Sequence, residues 1–209
     1  MHKFRASSLA EIMTEPKSRD ERLSVGAKTC VEKIAKQLVY GYDETVTSKY
    51  MEKGSQVEDD SIKLYNSVFF TNHRKNTERK FNDWIQGECD IFAPRKIIDI
   101  KSSWSLPTFP VTAAQGKDKT YEWQLRAYMW LWDVDLSEVA YCLVNTPDDL
   151  IGWDDQKLHY VDHITPELRV TLVKYERDKA LEDVIKNRVE AANDYLKTFT
   201  KEIGLQHTF

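Results

Sequence analysis

Three residues near the middle of the chain have the types and spacing to do chemistry: Asp90, Asp99 and Lys101. Two carboxylates can hold a hard divalent cation, which takes oxygen ligands and keeps several waters. Such a cation lowers the pKa of a coordinated water and offsets charge on a phosphoryl oxygen. A neighbouring lysine can orient that water, hold the phosphate, or act as base if its own pKa is depressed. The backbone carbonyl of Ile100 lies between two of these side chains and adds a further oxygen donor. The outline is that of a metal-dependent hydrolytic site. The same residues also fit a solvated hairpin carrying an Asp–Lys cross-strand pair, and spacing alone does not separate the two.

The element that must position them is a hairpin. Ile91 and Phe92 end one strand, Ala93-Pro94-Arg95-Lys96 turns, and Ile97 to Lys101 returns. Proline pre-sets the backbone angle such a turn needs. With the turn centred on Pro94 and Arg95, Phe92 faces Ile97 and Asp90 faces Asp99. Directly opposed like charges destabilise a sheet, so two carboxylates there want a cation between them. Side chains alternate along a strand. Asp99 and Lys101 therefore share one face, and Ile98 and Ile100 the other.

The flanking segments carry weaker signals. Ser8-Leu-Ala-Glu11 has the form of a capping box and predicts a short helix from near Leu9. Ala27, Val31, Ile34, Ala35 and Leu38 fall at helical spacing, with Gly41 as a stop. A second helix is expected from after Ser48 to about Asn66, burying Met51, Leu64 and Tyr65. Ser67 to Thr71 reads as β-rich, His73 to Lys80 as a mostly basic loop, and Phe81 to Gln86 as strand. Ser102 to Lys119 contains two prolines and reads as a long loop, a length usually functional or mobile. Tyr121 to Trp132 is a strongly apolar helix, and Glu138 to Val144 a buried strand. Lys157 to Ile164 reads as another strand, and Thr165-Pro-Glu opens a long final helix striped by Leu181, Val184, Ile185, Ala192, Tyr195, Leu196 and Phe199. Without repeats or a clear boundary, the pattern predicts an α/β fold: a single domain over residues 1–209, with a central mixed β-sheet flanked by helices.

Composition narrows the class. A hydrophobic content of 41% with 31% charged residues fits a globular protein, and a net charge of −4 rules out a generally basic nucleic-acid coat. A local basic groove remains compatible with that total. Cys30, Cys89 and Cys142 are far apart and form no zinc, iron–sulfur or disulfide spacing. The N-terminus lacks the apolar core of a signal peptide, and no apolar run reaches the length of a membrane span. A reducing cytoplasm is the expected setting.

The segment Gly87-Glu-Cys-Asp90, followed by Ile98-Asp99-Ile-Lys101, resembles the PD-(D/E)xK nuclease motif, in which a lone Asp precedes an Asp/Glu-x-Lys strand across a hairpin. Gln124-Leu-Arg-Ala-Tyr128 is similar to the Gln-x-x-x-Tyr motif of its RecB-like and lambda-exonuclease-like branches. Met51-Glu-Lys-Gly54-Ser-Gln-Val-Glu58 resembles the helical Gly-x-x-x-Glu that supplies an upstream acid. The order of these short motifs also agrees, and they span most of the chain. Without the cysteines of an iron–sulfur cluster, and with glutamate upstream, the sequence resembles most the lambda-exonuclease and YqaJ-like viral recombinases.

The resemblance implies a restriction-endonuclease-like core and assigns roles. Asp90, Asp99, Glu58 and the Ile100 carbonyl would hold the metal, and Lys101 would position or activate the attacking water. Glu58 stands in the acidic run Glu58-Asp59-Asp60, and on residues alone a solvent-facing carboxylate fits it equally. Gln124 and Tyr128 share a helix face, as core or as support for the site and DNA. Gly54 would let DNA or another backbone approach. Arg5, Ser7 and Ser8 match an N-terminal arginine and serine that hold a terminal 5′-phosphate, although Ser8 also reads as a plain cap. Ser102 and Ser103 could hydrogen-bond phosphate, Trp104 could stack on bases, and His73, Arg74, Lys75, Arg79 and Lys80 could grip a backbone. The implied activity is a magnesium-dependent exonuclease, with manganese able to substitute, acting on linear duplex DNA ends in viral recombination or repair. Its implied partners are DNA, a single-strand annealing or recombination protein, and further copies of itself. An endonuclease of the same fold and a non-catalytic DNA-binding protein are the alternatives.

Overall fold

The computed structural model describes residues 1–44 and 47–206. In chain order the elements are β1 (Phe4–Arg5), a 3-10 helix (Ala6–Glu11), α1 (Val25–Tyr40), α2 (Lys49–Gln56), α3 (Glu58–Phe69), β2 (Lys80–Phe81), β3 (Ile85–Gly87), β4 (Ile91–Ala93), β5 (Lys96–Ser102), α4 (Lys119–Trp132), β6 (Leu136–Cys142), α5 (Asp148–Ile151), β7 (Val170–Glu176) and α6 (Lys179–Gln206). The central mixed sheet has the order β4-β5-β6-β7. β4 and β7 run antiparallel to their neighbours, while β5 and β6 are parallel and joined by the α4 crossover. A small second sheet, β1-β3-β2, lies beside it.

Ile97 to Ile100 of β5 are all buried because the strand is covered on both faces, as central strands of such sheets are. On one face Ile97 joins Val139 and Val173 under Leu125, Tyr128 and Met129 of α4. On the other, Ile98 and Ile100 join Ala140 and Cys142 under Ile62, Leu64 and Tyr65 of α3. Asp99 and Lys101 alternate with those isoleucines and so fall on the α4 face. The hairpin has the expected register, with Phe92 paired to Ile97 and Ile91 to Ile98. Its turn places Pro94 first and Arg95 at φ 68°, the positive-φ position of a two-residue turn.

Several expectations change. The capping box is not made: the first 3-10 helix starts at Ala6, and the Ser8 hydroxyl donates to the Arg5 carbonyl at 3.4 Å. The single helix expected from Ser48 to Asn66 is two, broken at Val57 (φ −110°, ψ 13°), and the second runs on through Phe69 rather than into a strand. That break turns Met51 outward and buries Lys53 instead. Residues 157–164 form no strand. Thr165-Pro166 starts only a 3-10 turn, because Val170-Thr-Leu-Val continues in β-branched alternation and pairs with β6 as β7. The final helix then begins at Lys179.

Candidate active site

The strand pairing stops at Ile91–Ile98, one step short of Asp90 facing Asp99. Asp90 bends there, and its Oδ2 accepts from the Ile100 N–H at 2.7 Å. In an extended strand the N–H and C=O of one residue point to the same edge. The Ile100 carbonyl therefore faces the Asp90 edge, beyond the end of β4, and is not used by β6. Asp99 is fully buried. Its Oδ1 accepts from Gln124 Nε2 at 3.1 Å, and its Oδ2 lies 2.7 Å from Lys101 Nζ, a charge contact without the angles of a hydrogen bond.

The electrostatics follow from this crowding. Burial, then the neighbouring Asp99 charge, raise the Asp90 pKa well above the ordinary carboxylate range. Burial lowers that of Lys101, but Asp99 and Asp90 outweigh it and carry the ammonium above its ordinary value. Lys101 is thus a cation and not a neutral base. Its Nζ also sits 4.7 Å from the centre of the Tyr121 ring.

Gln124 and Tyr128 lock the acid from behind. Gln124 Nε2 also donates to Tyr128 Oη at 3.0 Å, and that hydroxyl donates to the Glu88 carbonyl at 2.9 Å. Both side chains are buried, so they support the site rather than face a ligand. Gly87 makes the approach possible: a Cβ there would meet Tyr128 Cε1 at 2.6 Å and Ala6 Cβ at 3.0 Å.

These groups lie at a cleft of about 590 Å³ lined by Tyr50, Gly54, Glu58, Asp90, Ile100, Lys101, Ser103, Trp104, Tyr121 and Tyr141, among others. A Cβ on Gly54 would touch nothing, so the space above it is open to a ligand and not filled by backbone. Glu58 is the member of its acidic run that reaches the cleft; Asp59 and Asp60 are exposed, and Asp60 pairs with Lys63. Among the described residues no three acidic, histidine or cysteine side chains converge as a ready metal cage. Each cleft acid is engaged by a donor of the chain, and Glu58 by Lys75.

A solved structure of a phage-related exonuclease from Haemophilus somnus 129PT superposes with a TM-score of 0.90 at 37% identity, over 97% of this chain and 96% of that one. The chain belongs to the phage-related exonuclease family. The resemblance to the lambda-exonuclease and YqaJ-like branch of PD-(D/E)xK nucleases holds with it. The alkaline exonuclease LHK-Exo from Laribacter hongkongensis, solved also in complex with dAMP, shares the fold at a TM-score of 0.71 and 17% identity, over 98% of this chain and 92% of that one. No family model and no curated protein matches the chain.

Of the residues expected to contact DNA, one set falls elsewhere and another, Ser102 to Trp104, lines the cleft. Arg5 and Ser8 do not line the cleft; they lie on β1 and the first 3-10 helix, which packs behind Gly87 and Tyr128. Trp104 does line it, but it is 8% exposed, and its indole N–H points to Asp154 Oδ2 at 3.3 Å, between the rings of Tyr50 and His159. It forms wall rather than a free stacking platform. Ser102 Oγ bonds Ser61 Oγ at 2.8 Å, and Ser103 is nearly buried.

The residue that sequence reasoning missed is Lys53. It has no exposed surface, and its Nζ donates to the carbonyls of Ser103 (2.6 Å), Trp104 (3.0 Å) and Val144 (3.0 Å) and to Thr146 Oγ1 (2.9 Å). It ties α2, with its cleft-lining Gly54, to the wall that follows the Lys101 strand. Lys53, Val57 and Ser61 recur every four residues and all three are buried, but two of them are polar, so the spacing gives no apolar stripe to read.

Proposed function

We propose that this exonuclease is magnesium-dependent, accepts manganese, and hydrolyses phosphodiester bonds at the ends of linear duplex DNA in viral recombination or repair. The observation that carries the reading is the pair of acids Asp90, which lines the cleft, and Asp99, buried behind it, set beside the Ile100 carbonyl edge and the charged Lys101. The donors are all oxygens, and two of them are carboxylates crowded enough to raise the Asp90 pKa. That set fits a hard divalent cation held by Asp90, Asp99 and Ile100, with Glu58 completing it. When bound, such a cation acidifies water and offsets charge on a phosphoryl oxygen.

The chain's own groups do the rest. Gln124 holds the Asp99 carboxylate against α4. Lys101, kept charged, donates to a phosphate oxygen or to the attacking water and compensates charge as it develops. The Lys53-tied wall of Ser103 and Trp104 bounds the space in which the strand end lies. A single-strand annealing or recombination protein, and further copies of the chain, are the partners such an activity calls for.

The test is incubation with linear and with closed circular duplex, in magnesium and in EDTA. Loss of linear DNA alone, in magnesium alone, is expected. Cutting of circles would turn the reading to an endonuclease, and metal-independent binding without cleavage to a non-catalytic DNA-binding protein.

A further inference from the structure

The third acid of the cleft already has a cation. Glu58 opens α3 and lines the cleft, and its carboxylate accepts from Lys75 Nζ. Glu58 is close enough for its charge to act on Asp90, and the charges of Glu58, Asp90 and Asp59 act in turn on Lys75. Lys75 comes from residues 71–79, which form no helix or strand. They nonetheless make a strap anchored at both ends. Toward α3, Asn66 Oδ1 accepts from the Thr71 hydroxyl at 2.8 Å and the His73 N–H at 2.9 Å, and Asn66 Nδ2 donates to the His73 carbonyl at 2.9 Å. Toward the hairpin, the Asn76 N–H donates to the Asp90 carbonyl at 2.7 Å, and Asn76 Nδ2 to the Cys89 carbonyl at 3.0 Å. Lys75 is therefore delivered to Glu58 by a segment that grips the backbone of Asp90 one residue later.

The charges around the cleft explain why a lysine is placed there. Asp90, Asp99 and Glu58 face two ammonium groups, Lys101 and Lys75. Adding a divalent cation with both lysines in place would reverse the balance. Lys101 is held against buried Asp99, whereas the Lys75 side chain is 49% exposed and can turn to water. Exposed lysine pairs are worth little, so that release is cheap.

We propose that Lys75 is a built-in counter-ion of the cation site, holding Glu58 in the empty enzyme and giving it up when a divalent cation arrives. It thereby sets the site's affinity for the cation. The inference rests on the metal reading above and deepens it. A merely structural lysine would steady the strap without touching metal affinity.

Calorimetric titration with manganese alone, on wild type, Lys75→Met, Glu58→Gln and the double variant, tests it. Lys75→Met is expected to bind about two- to fivefold more tightly, the size of a partly exposed ion pair. The same change in the Glu58→Gln background should have no effect. Unaltered or weaker binding by Lys75→Met overturns the proposal, even if thermal stability falls. So does equal tightening in both backgrounds, which would make Lys75 a distant field and not a partner of Glu58. Binding by wild type with an unaltered Lys75→Met removes this inference alone, whereas no binding by wild type removes the metal reading as well.

Discussion

Half-buried Lys101 and fully buried Lys53 both lie beside the cleft, and their surroundings are opposite. Lys101 meets a carboxylate: Asp99 Oδ2 is 2.7 Å from its Nζ, and the acids lift its pKa despite burial. Among the described residues no acid bonds the Lys53 ammonium. Three carbonyls and a hydroxyl surround its Nζ, and burial pushes its pKa down to about 8. Taking an ammonium out of water is costly in either place, and the two sites offset that cost differently. Charge on Lys101 is balanced by charge, so it stays available at an open face. Charge on Lys53 is spread over peptide dipoles, so it is spent on fixing backbone. A buried lysine near a cleft therefore says little until the atoms on its Nζ are known.

The comparison breaks most visibly at the acid. Asp99→Asn and Lys101→Ala should each slow cleavage of a labelled linear duplex by about a thousandfold or more. Asp99→Asn should keep its circular dichroism, because the amide oxygen still accepts from Gln124. A rate within tenfold of wild type in either variant would remove the residue from the chemistry. Lys53→Met should do the reverse. It removes the ammonium from the buried carbonyls of Ser103 and Val144 and leaves the Trp104 carbonyl only the Thr146 hydroxyl, at a cost of about 3 kcal/mol of unfolding free energy, measurable by urea titration. Where the variant is folded, its single-turnover rate on saturating DNA should stay within about threefold of wild type. Stability kept and rate lost would exchange the roles of the two lysines.

One lysine also serves two acids, and Asp90 shows the shortfall. Its pKa rises from 3.8 to about 7, so between those values the folded state binds more protons than the unfolded one. Stability contributed by this group is then complete below about pH 4 and lost as pH rises through about 7. In EDTA, Asp90→Asn should be more stable than wild type at pH 8, by about 2 kcal/mol after allowing for the coupling to Asp99. The two should converge near pH 4. Equal stability at both pH values would mean that Lys101 alone satisfies the pair.

The legible and illegible parts of the chain divide along the same line. The hairpin was readable because proline, alternation and two opposed acids all act over a dozen residues. Gln124 and Tyr128 were readable as a pair on one helix face, although not their target, since Asp99 and Glu88 lie far off in sequence. Lys53 was hidden by its neighbours: Lys49, Glu52 and Gln56 make α2 look solvated, and the carbonyls that bury it come from residues 103, 104 and 144. Met51 was placed inside because the break at Val57, which rotates α2 against α3, has no proline or glycine to announce it. β7 was read as helix because Thr165-Pro166 is a strong start signal, and the pairing with β6 that overrides it is a long-range contact.

The smallest expected effect lies on the far side of Lys101. The Tyr121 ring, 4.7 Å from Nζ, is a feature of the Lys101 environment that is neither charge nor hydrogen bond. It is backed by Tyr141, whose ring lies 6.2 Å away and whose hydroxyl donates to the Gly116 carbonyl at 2.7 Å. A cation over an aromatic face at a partly open site is worth about 0.5–1 kcal/mol, so Tyr121→Leu should lower kcat about two- to fivefold. Tyr121→Phe keeps the ring and should run close to wild type. If Leu costs nothing, Asp99 alone orients the ammonium. If Phe costs as much as Leu, the hydroxyl and not the ring face is what the reaction uses, and the contrast with Lys53 rests on the carboxylates alone.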